Sequence, residues 1–315
     1  MGSVRRRAVP ALRPYVLGYT GFHTAFPEPR RRLELPNGTF TLVLSFADGL
    51  HVTGTDGLLR PAPAAMISGL HTGPVTGVHR GEVHGLEVNL TPTGAYRLLG
   101  LPMRYFRDVY LDLADVLGPC WPRLTDRLRE LPGWEARFAL LDQALAALFE
   151  AGRQQLSPEV GHALSLLRGA GPSLAEATAE TGWSARNLRA RFQEEVGLSP
   201  KGVARVYRLQ RALLALSGGT PAAGTAALCG YHDQAHLSRD IKAMTGLSPS
   251  ALLRLRAGAL PGSPLDRLPG RITSVLLPGR PTPAGPAGER RADGTAVPPA
   301  ADGCLGQQKL QVPLS

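Results

Sequence analysis

The order of hydrophobic and polar positions divides the chain into a β-rich part and a helical part. In the first part, short runs of β-branched and aromatic residues are separated by clusters of Gly, Pro and Asp. Such runs predict strands joined by tight turns, and therefore a small antiparallel sandwich or barrel. The predicted strands lie at residues 39–46, 50–53, 65–70, 75–79 and 83–90.

A helical pattern begins at Thr91-Pro92, because Thr91 can cap a helix and Pro92 suits its first turn. The pattern predicts helices at Pro92–Leu99, Pro122–Leu131 and Trp134–Ala151. The last helix has apolar residues at steps of three and four, namely Phe138, Leu141, Leu145 and Leu148. This apolar face either packs on the β unit or forms the seam of a dimer.

Residues Pro158–Gly258 predict nearly continuous helix, and beyond Leu260 Pro, Gly and Ala replace the periodic apolar residues. The predicted fold class is therefore α+β, with a β-rich domain and flanking helices followed by an all-α domain. The boundaries expected are 1–151 for the β-rich domain, 156–258 for the all-α domain and 261–315 for a disordered tail.

The all-α part contains a helix-turn-helix pattern. Ser173–Glu180 begins with a capping Ser followed three residues later by Glu, which predicts a helix start. Thr181-Gly182-Trp183 predicts a tight turn, and Ser184 predicts the cap of a second helix at Ala185–Val196. The inner residues of that helix are Leu188 and Phe192, and its outer residues are Arg186, Asn187, Arg189 and Arg191. A basic outer face of this kind is typical of a helix that enters the DNA major groove.

The same pattern repeats further along the chain. Pro221–Leu228 predicts a short helix, Cys229-Gly230-Tyr231 a turn, and His232 or Asp233 the start of the next helix. Both units end in Gly-Leu-Ser-Pro, at 197–200 and 246–249, and an internal repeat is more specific than either unit alone. Lys201–Ser217 predicts one helix that links the units and would hold their recognition helices about one turn of DNA apart.

These residues resemble the AraC/XylS family of bacterial transcription regulators over roughly Pro158–Arg256. The second unit carries the resemblance in Gly-Tyr-His-Asp-Gln-Ala-His-Leu-Ser-Arg at Gly230–Arg239, followed by Lys242, Gly246 and Ser248-Pro249. The first unit carries it in Leu174-Ala175, Gly182, Ser184, Leu188, Arg191-Phe192, Gly197 and Ser199-Pro200. The resemblance implies a sequence-specific regulator of transcription that binds double-stranded DNA.

The resemblance also implies which side chains touch bases. These are Arg186, Arg189 and Ala190 in the first unit, and Gln234, Ala235, Ser238 and Arg239 in the second. Arg can hold guanine and Gln adenine through two hydrogen bonds each. Contacts to the DNA backbone are expected from Ser184, Asn187, Arg191, Lys201, Arg205, Arg208, His236 and Lys242.

The second unit departs from the family. Ile241 stands where an aromatic residue is usual, and Pro221–Thr225 lacks large aliphatic residues. A Gly inside a helix costs about 1 kcal/mol relative to Ala. We therefore expect the first unit to supply most of the binding energy.

Composition and charge agree with a DNA partner. The 315 residues carry a formal charge of +10, and their sequence pI is near 10.1. A positive balance favours polyanions because each neutralised phosphate releases counterions. The three cysteines are too widely spaced for a disulfide framework or a metal pair, and no signal peptide or membrane span is expected, which predicts a cytoplasmic protein.

The amino-terminal part resembles the cupin-like effector domains of this family through Leu35-Pro36-Asn37-Gly38 and the strand that follows. This implies a small-molecule effector or a dimer contact, and RNA polymerase is a further candidate partner. His51, His71, His79 and His84 lack the spacing of a metal motif, so no metal and no cofactor are expected.

Two other functions remain open. One is an architectural DNA binder that is indifferent to sequence. The other is a DNA-repair or DNA-modifying enzyme that carries the same DNA module. Cys120 lacks a neighbouring cluster that would stabilise a thiolate, and no nucleophile elbow or phosphate-binding loop is present. We therefore expect a regulator and not an enzyme.

Overall fold

The computed structural model describes residues 2–53, 58–169, 182–257, 266 and 268–278. The strands are β1 (Gly2–Arg6), β2 (Val16–Glu34), β3 (Phe40–Ser45), β4 (Leu50–Thr53), β5 (Leu59–Pro61), β6 (Ala65–Ser68), β7 (Val75–Leu90), β8 (Tyr110–Asp112) and β9 (Ser274–Leu277). The helices are α1 (Pro92–Leu99), α2 (Leu113–Leu117), α3 (Cys120–Glu130), α4 (Gly133–Ala151), α5 (Pro158–Arg168), α6 (Ala185–Glu195), α7 (Pro200–Ser217), α8 (Ala222–Leu228), α9 (Gln234–Thr245) and α10 (Pro249–Ala257). Short 3-10 turns lie at Pro10–Leu12 and Met103–Phe106.

All described strands join one antiparallel sheet in the order β1-β2-β7-β3-β6-β8. β4 pairs with β7 and β5, and β9 pairs with β2. The long pair β2–β7 changes register between Phe26 and Arg30, so its two halves form separate ladders. Such an irregularity bends the strands. The sheet can therefore curve around an interior lined by both halves.

The helices after β7 cover the sheet. Phe138, Leu141 and Leu145 of α4 are at most 1% exposed, and the Phe138 ring stacks on Tyr19 of β2. Asp142, also on α4, accepts a hydrogen bond from the Tyr19 hydroxyl at 2.7 Å. The apolar face of this helix therefore packs on the β unit, as one of the two interpretations of its sequence predicted.

The helical region also follows the sequence prediction. α7 is the linker helix, and it begins after Ser199, whose hydroxyl accepts from the Gly202 amide. α8 and α9 form the second helix-turn-helix unit, and α6 is the recognition helix of the first. The helix predicted at Ser173–Glu180 lies outside the described residues. The α+β architecture, with its β-rich first part and helical second part, is confirmed.

Two expectations about strands were wrong. β7 is continuous from Val75 to Leu90, although the sequence predicted a break after His79. β9 lies within the predicted tail, so 261–315 is not disordered throughout. Val275 is fully buried, and the strand that forms hydrogen bonds with β9 is β2, which is distant in sequence.

A search of the described helices finds none that is both long and apolar enough to cross a bilayer.

The fold places His84 of β7 among charged groups on the outer side of the sheet. Partial burial, then His23, then the Arg137 guanidinium lower the pKa of His84 to about 4, with Arg129 adding to this and Glu82 opposing it. The pKa of a His in an unfolded chain is about 6.5. Between pH 4 and that value, the unfolded chain therefore binds more protons at this position than the folded chain does. The stability tied to neutral His84 is full above the unfolded pKa and decreases as the pH falls towards 4.

We predict that His84→Gln makes the thermal midpoint fall less steeply between pH 6.5 and 4 than in the unaltered chain. His162→Gln, the same change on an exposed side chain of α5, is the matched control. Melting curves followed by circular dichroism at several pH values test this. Parallel curves for His84→Gln and the unaltered chain would contradict the prediction.

Candidate nucleic-acid interface and cavity

The recognition helix of the first unit, α6, is anchored on one face and open on the other. Ser184 caps it by accepting a hydrogen bond from the Asn187 amide at 3.2 Å, as predicted. Leu188 and Phe192 are fully buried. Arg186, Asn187, Arg189, Ala190 and Arg191 are all exposed. The predicted base-contacting residues of this unit therefore share an open face.

The second recognition helix, α9, is built in the same way. Asp233 caps it through the His236 amide at 2.6 Å, which selects Asp233 over His232 as its start. Leu237 and Ile241 are fully buried. Gln234, Ala235, Arg239 and Lys242 are exposed, and Ser238 and His236 are half-buried. The turn glycines before the two helices, Gly182 and Gly230, have φ values of 69° and 72°, a conformation that favours Gly.

Several residues expected to touch the DNA backbone are engaged within the protein. Asp240 of α9 is 7% exposed and accepts from the Arg205 Nε at 2.5 Å and from the Tyr231 hydroxyl at 3.3 Å. The Arg208 guanidinium lies 3.6 Å from the same carboxylate and stacks over the Tyr231 ring. These groups tie α9 to the linker helix. Sequence reasoning missed Asp240, whose signal is a lone acid on the inner face of α9.

Other backbone candidates differ in their surroundings. Arg191 lies 3.4 Å from Glu194 and 3.5 Å from buried Glu195. The His236 ring meets Tyr231 edge-on, and its Nδ1 accepts from the His232 amide. Lys201 is exposed at the start of α7, and Lys242 is exposed on α9. The two lysines are therefore the backbone candidates whose charges stand most open to a phosphate.

The curved sheet encloses a cavity of about 450 Å³. Part of its lining is apolar and includes Phe22, Val43, Leu50, Val52 and Met66. The rest, here called the polar wall, includes Arg32, His71, Glu87, Asn89 and Thr273, none of them more than 9% exposed, and Glu87 lies directly across the ladder from Val43. Buried polar groups are costly unless they are hydrogen-bonded. A polar wall of this kind inside an apolar barrel is a feature of ligand sites.

The polar wall is held by its own hydrogen bonds. The Asn89 amide donates to Glu87 Oε1 at 3.1 Å, and the Thr41 hydroxyl donates to Asn89 Oδ1 at 3.3 Å. His71 Nε2 meets the Ser68 hydroxyl at 3.2 Å, while its Nδ1 is buried with no partner among the described residues. Burial lowers the pKa of His71, so the ring is neutral. The sequence signal for this wall is the pair Glu87 and Asn89 at alternate positions of an apolar strand.

One cluster of metal-ligating side chains lies outside the cavity. The ligand atoms of His23, Glu82 and His84 lie within 4.8 Å of one another. However, the Arg137 Nη1 is 3.0 Å from His84 Nε2. A guanidinium is always charged, so it places a positive charge where a second cation would have to bind. The cluster therefore does not favour a metal.

Residues 177–255 match a family model described as a helix-turn-helix domain. Among solved structures, ToxT from Vibrio cholerae O395 is 9% identical, covering 76% of this chain and 98% of its own, with a TM-score of 0.41. ToxT bound to (E)-4-(8-methylnaphthalen-1-yl)but-3-enoic acid is also 9% identical, covering 75% and 97%, with a TM-score of 0.43. Unsaturated fatty acid bound wild-type ToxT from V. cholerae strain SCE256 is 8% identical, covering 79% and 96%, with a TM-score of 0.42. A comparison with curated protein sequences gives no match.

The matched segment and its two exposed recognition helices define a helix-turn-helix protein that binds DNA. The motif at Gly230–Arg239 and the paired units make the assignment narrower. Residues 177–255 are a helix-turn-helix domain, and their motif resembles that of the AraC/XylS family of transcription regulators.

The Asp240 cluster gives a prediction about stability. Asp240→Asn removes the charge that holds Arg205 and Arg208, and hydrogen bonds to a charged group contribute about 1.5–3 kcal/mol. Because both arginines are partly exposed, we expect a loss of only about 1–2 kcal/mol in the free energy of unfolding. Asp126→Asn, which breaks an exposed pair with Arg129, is the control and should cost less than about 0.5 kcal/mol. Urea unfolding measures both, and equal losses would contradict the assigned role of Asp240.

Proposed function

We propose that α6 and α9 read base edges in the major groove, and that a small molecule in the sheet cavity controls this binding. The observation that carries the DNA part is the shared open face of Arg186, Arg189 and Ala190 over a fully buried inner face. Arg186 and Arg189 can each bind guanine through O6 and N7. Gln234 of α9 can bind adenine in the corresponding way.

We assign the basic side chains to three roles: contact with a base, contact with a phosphate, and positioning of α9. We assign Arg189 to a base because it lies on the outer face of α6. We assign Lys201 to a phosphate because it is exposed in the first turn of the linker helix, where the helix dipole also favours an anion. Arg205 and Arg208 act chiefly by holding Asp240, so they position α9 against α7.

We predict that Arg189→Ala reduces discrimination at one base position by about 1–3 kcal/mol. Lys201→Ala, the matched control, should weaken all sequences alike and lower the slope of log K against log salt by about one unit. Affinities for an operator fragment and its single-base variants, measured at several salt concentrations, test both. A uniform loss for both variants would contradict the assignment of Arg189.

The same measurements separate a regulator from an architectural binder. A regulator binds its site about 10³ times or more tightly than random duplex, whereas an architectural binder shows no such ratio. Footprinting of the bound protein across the genome would supply the operator and the regulated genes. Equal affinities for the operator and for random duplex would favour the architectural binder over the regulator.

The cavity supports the effector part of the proposal. Its apolar side chains and its hydrogen-bonding side chains together fit an amphipathic molecule, with apolar atoms against Val52 and Met66 and polar atoms against Glu87 and Asn89. A cavity of about 450 Å³ is within the usual range for small-molecule sites. The charges of Arg32 and Glu34 lie 2.9 Å apart and offset each other, so a high net charge on the ligand is not required.

We predict that anilinonaphthalene sulfonate, a fluorescent amphipathic probe, binds the chain saturably and that Val43→Trp lowers its affinity about tenfold or more by filling the cavity. The loss corresponds to excluding most of the apolar contact area of the probe. Val4→Trp on the exposed strand β1 is the control. Fluorescence titration measures this, and unchanged binding by Val43→Trp would show that the probe binds elsewhere.

A further inference from the structure

The chain that follows the DNA-binding domain returns to the amino-terminal sheet. Residues 266 and 268–278, here called the C-terminal strap, contain β9, which pairs antiparallel with the second half of β2. In this ladder Leu33 faces Val275, and Arg32 faces Leu276. Ile272 and Val275 are at most 2% exposed. The strap is therefore part of the core of the amino-terminal domain and not an appendage.

The strap also forms part of the cavity wall. Thr273 and Leu276 line the cavity, together with Arg32 and Glu34 of the paired strand. Because side chains alternate along a strand, Leu277 points to the other face, where it packs against the main core. A molecule in the cavity would therefore touch residues that lie beyond the DNA-binding domain in sequence.

Contacts at three positions of the strap join it to the DNA-binding domain, and one of them is Arg271, whose guanidinium lies over the Tyr207 ring of α7, 5.6 Å from its centroid. Arg256, in the last turn of α10, binds both carboxylate oxygens of Asp266, at 3.0 and 2.5 Å, and donates to the Ser274 carbonyl at 2.9 Å. Asp266 Oδ1 also accepts from the Thr273 amide at 3.0 Å. A two-pronged pair of this kind fixes orientation as well as distance.

The remaining contact is made by Gln210 of the linker helix α7, which is 4% exposed. Its amide nitrogen donates to the carbonyls of Pro36 and Ile272, at 2.7 and 3.0 Å. Its amide oxygen accepts from the Ile272 amide at 3.0 Å. One side chain thus bonds the linker helix to the loop before β3 and to the strap. Breaking these bonds would leave several buried polar groups without partners.

We propose that the C-terminal strap completes the wall of the ligand cavity and transmits its occupancy to the linker helix through Gln210. The proposal rests on the proposed effector function of the cavity. A ligand that contacts Thr273 and Leu276 favours the arrangement in which β9 is paired. Through Gln210 the same arrangement fixes α7, from which both recognition helices are held. Two sites coupled through one such element must influence each other's affinity.

The first experiment needs no ligand. A chain ending at Pro278 keeps the strap, and a chain ending at Ala257 lacks it. We expect the longer one to bind a DNA fragment selected with the full chain as the full chain does. The shorter chain and Gln210→Leu should each change the Kd about fivefold or more in the same direction, the size typical of coupled sites. Gln155→Leu, the same change at an exposed position, is the control.

Combining the two changes decides whether they act on one connection. The shorter chain carrying Gln210→Leu should bind DNA no differently from the shorter chain alone, because truncation already removes the bonds between Gln210 and Ile272. Additive effects, or no effect of Gln210→Leu, would overturn the proposal. If the shorter chain does not fold, Arg256→Gln takes its place in the cycle, since it breaks the bonds to Asp266 and Ser274 and keeps β9 paired with β2.

The second experiment tests whether the strap forms part of the cavity wall. Leu276→Ser should weaken binding of anilinonaphthalene sulfonate about fivefold, whereas Leu277→Ser on the opposite face of the strand should leave it within about twofold, since only Leu276 loses apolar contact with the probe. Equal losses would show that the strap stabilises the sheet without forming the site. If the unaltered chain binds no probe, the effector function fails, and the DNA cycle still decides whether the strap and the linker helix are connected.

Discussion

The pairing of β2 with β7 is the constraint on which the amino-terminal domain depends. β1 pairs with the first half of β2, and β9 pairs with the second half. On the other side of this pair, β4 pairs with the first half of β7, and β3 pairs with its second half. Because the ladder changes register at Phe26 and Arg30, the two halves point in different directions. The cavity lies between the two halves, and β9 of the C-terminal strap pairs along the edge of the second half of β2.

The DNA-binding domain depends on a different interaction, the polar cluster around Asp240. The small residues of α8 offer little apolar surface for the second unit, and Leu228 of that helix is 73% exposed. Asp240 and Tyr231, held by Arg205 and Arg208, make up for this by bonding α9 to the linker helix. The second unit is therefore weak in apolar packing and strong in charged hydrogen bonds. Its orientation therefore depends on α7 as well as on its own positioning helix.

Elements whose signals are local could be predicted from the sequence, and elements whose partners are distant could not. Ser184 and Asp233 cap the recognition helices within three residues of the amides they bind, so the pattern alone locates both helices. β2 contains Pro27 and Pro29, which argue against a strand, yet they fall where the register shifts. β9 lies between Pro- and Gly-rich segments, and its partner β2 is far away in sequence. The cavity depends on both of these strands, and so it was missed as well.

The docking of the two domains explains how control can reach the recognition helices without covering them. Glu195, at the end of α6, is 2% exposed and accepts from the amide and hydroxyl of Ser157, at 2.7 and 3.1 Å. Gly197, just beyond it, lies against the carbonyl of Met103. The amino-terminal domain thus contacts the far end of α6 and leaves Arg186 and Arg189 open. In the proposed control, a shift of the linker helix would change the angle between the two recognition helices rather than their access to DNA. Since binding by two helices requires that both fit successive grooves, a change of angle alone is enough to alter affinity.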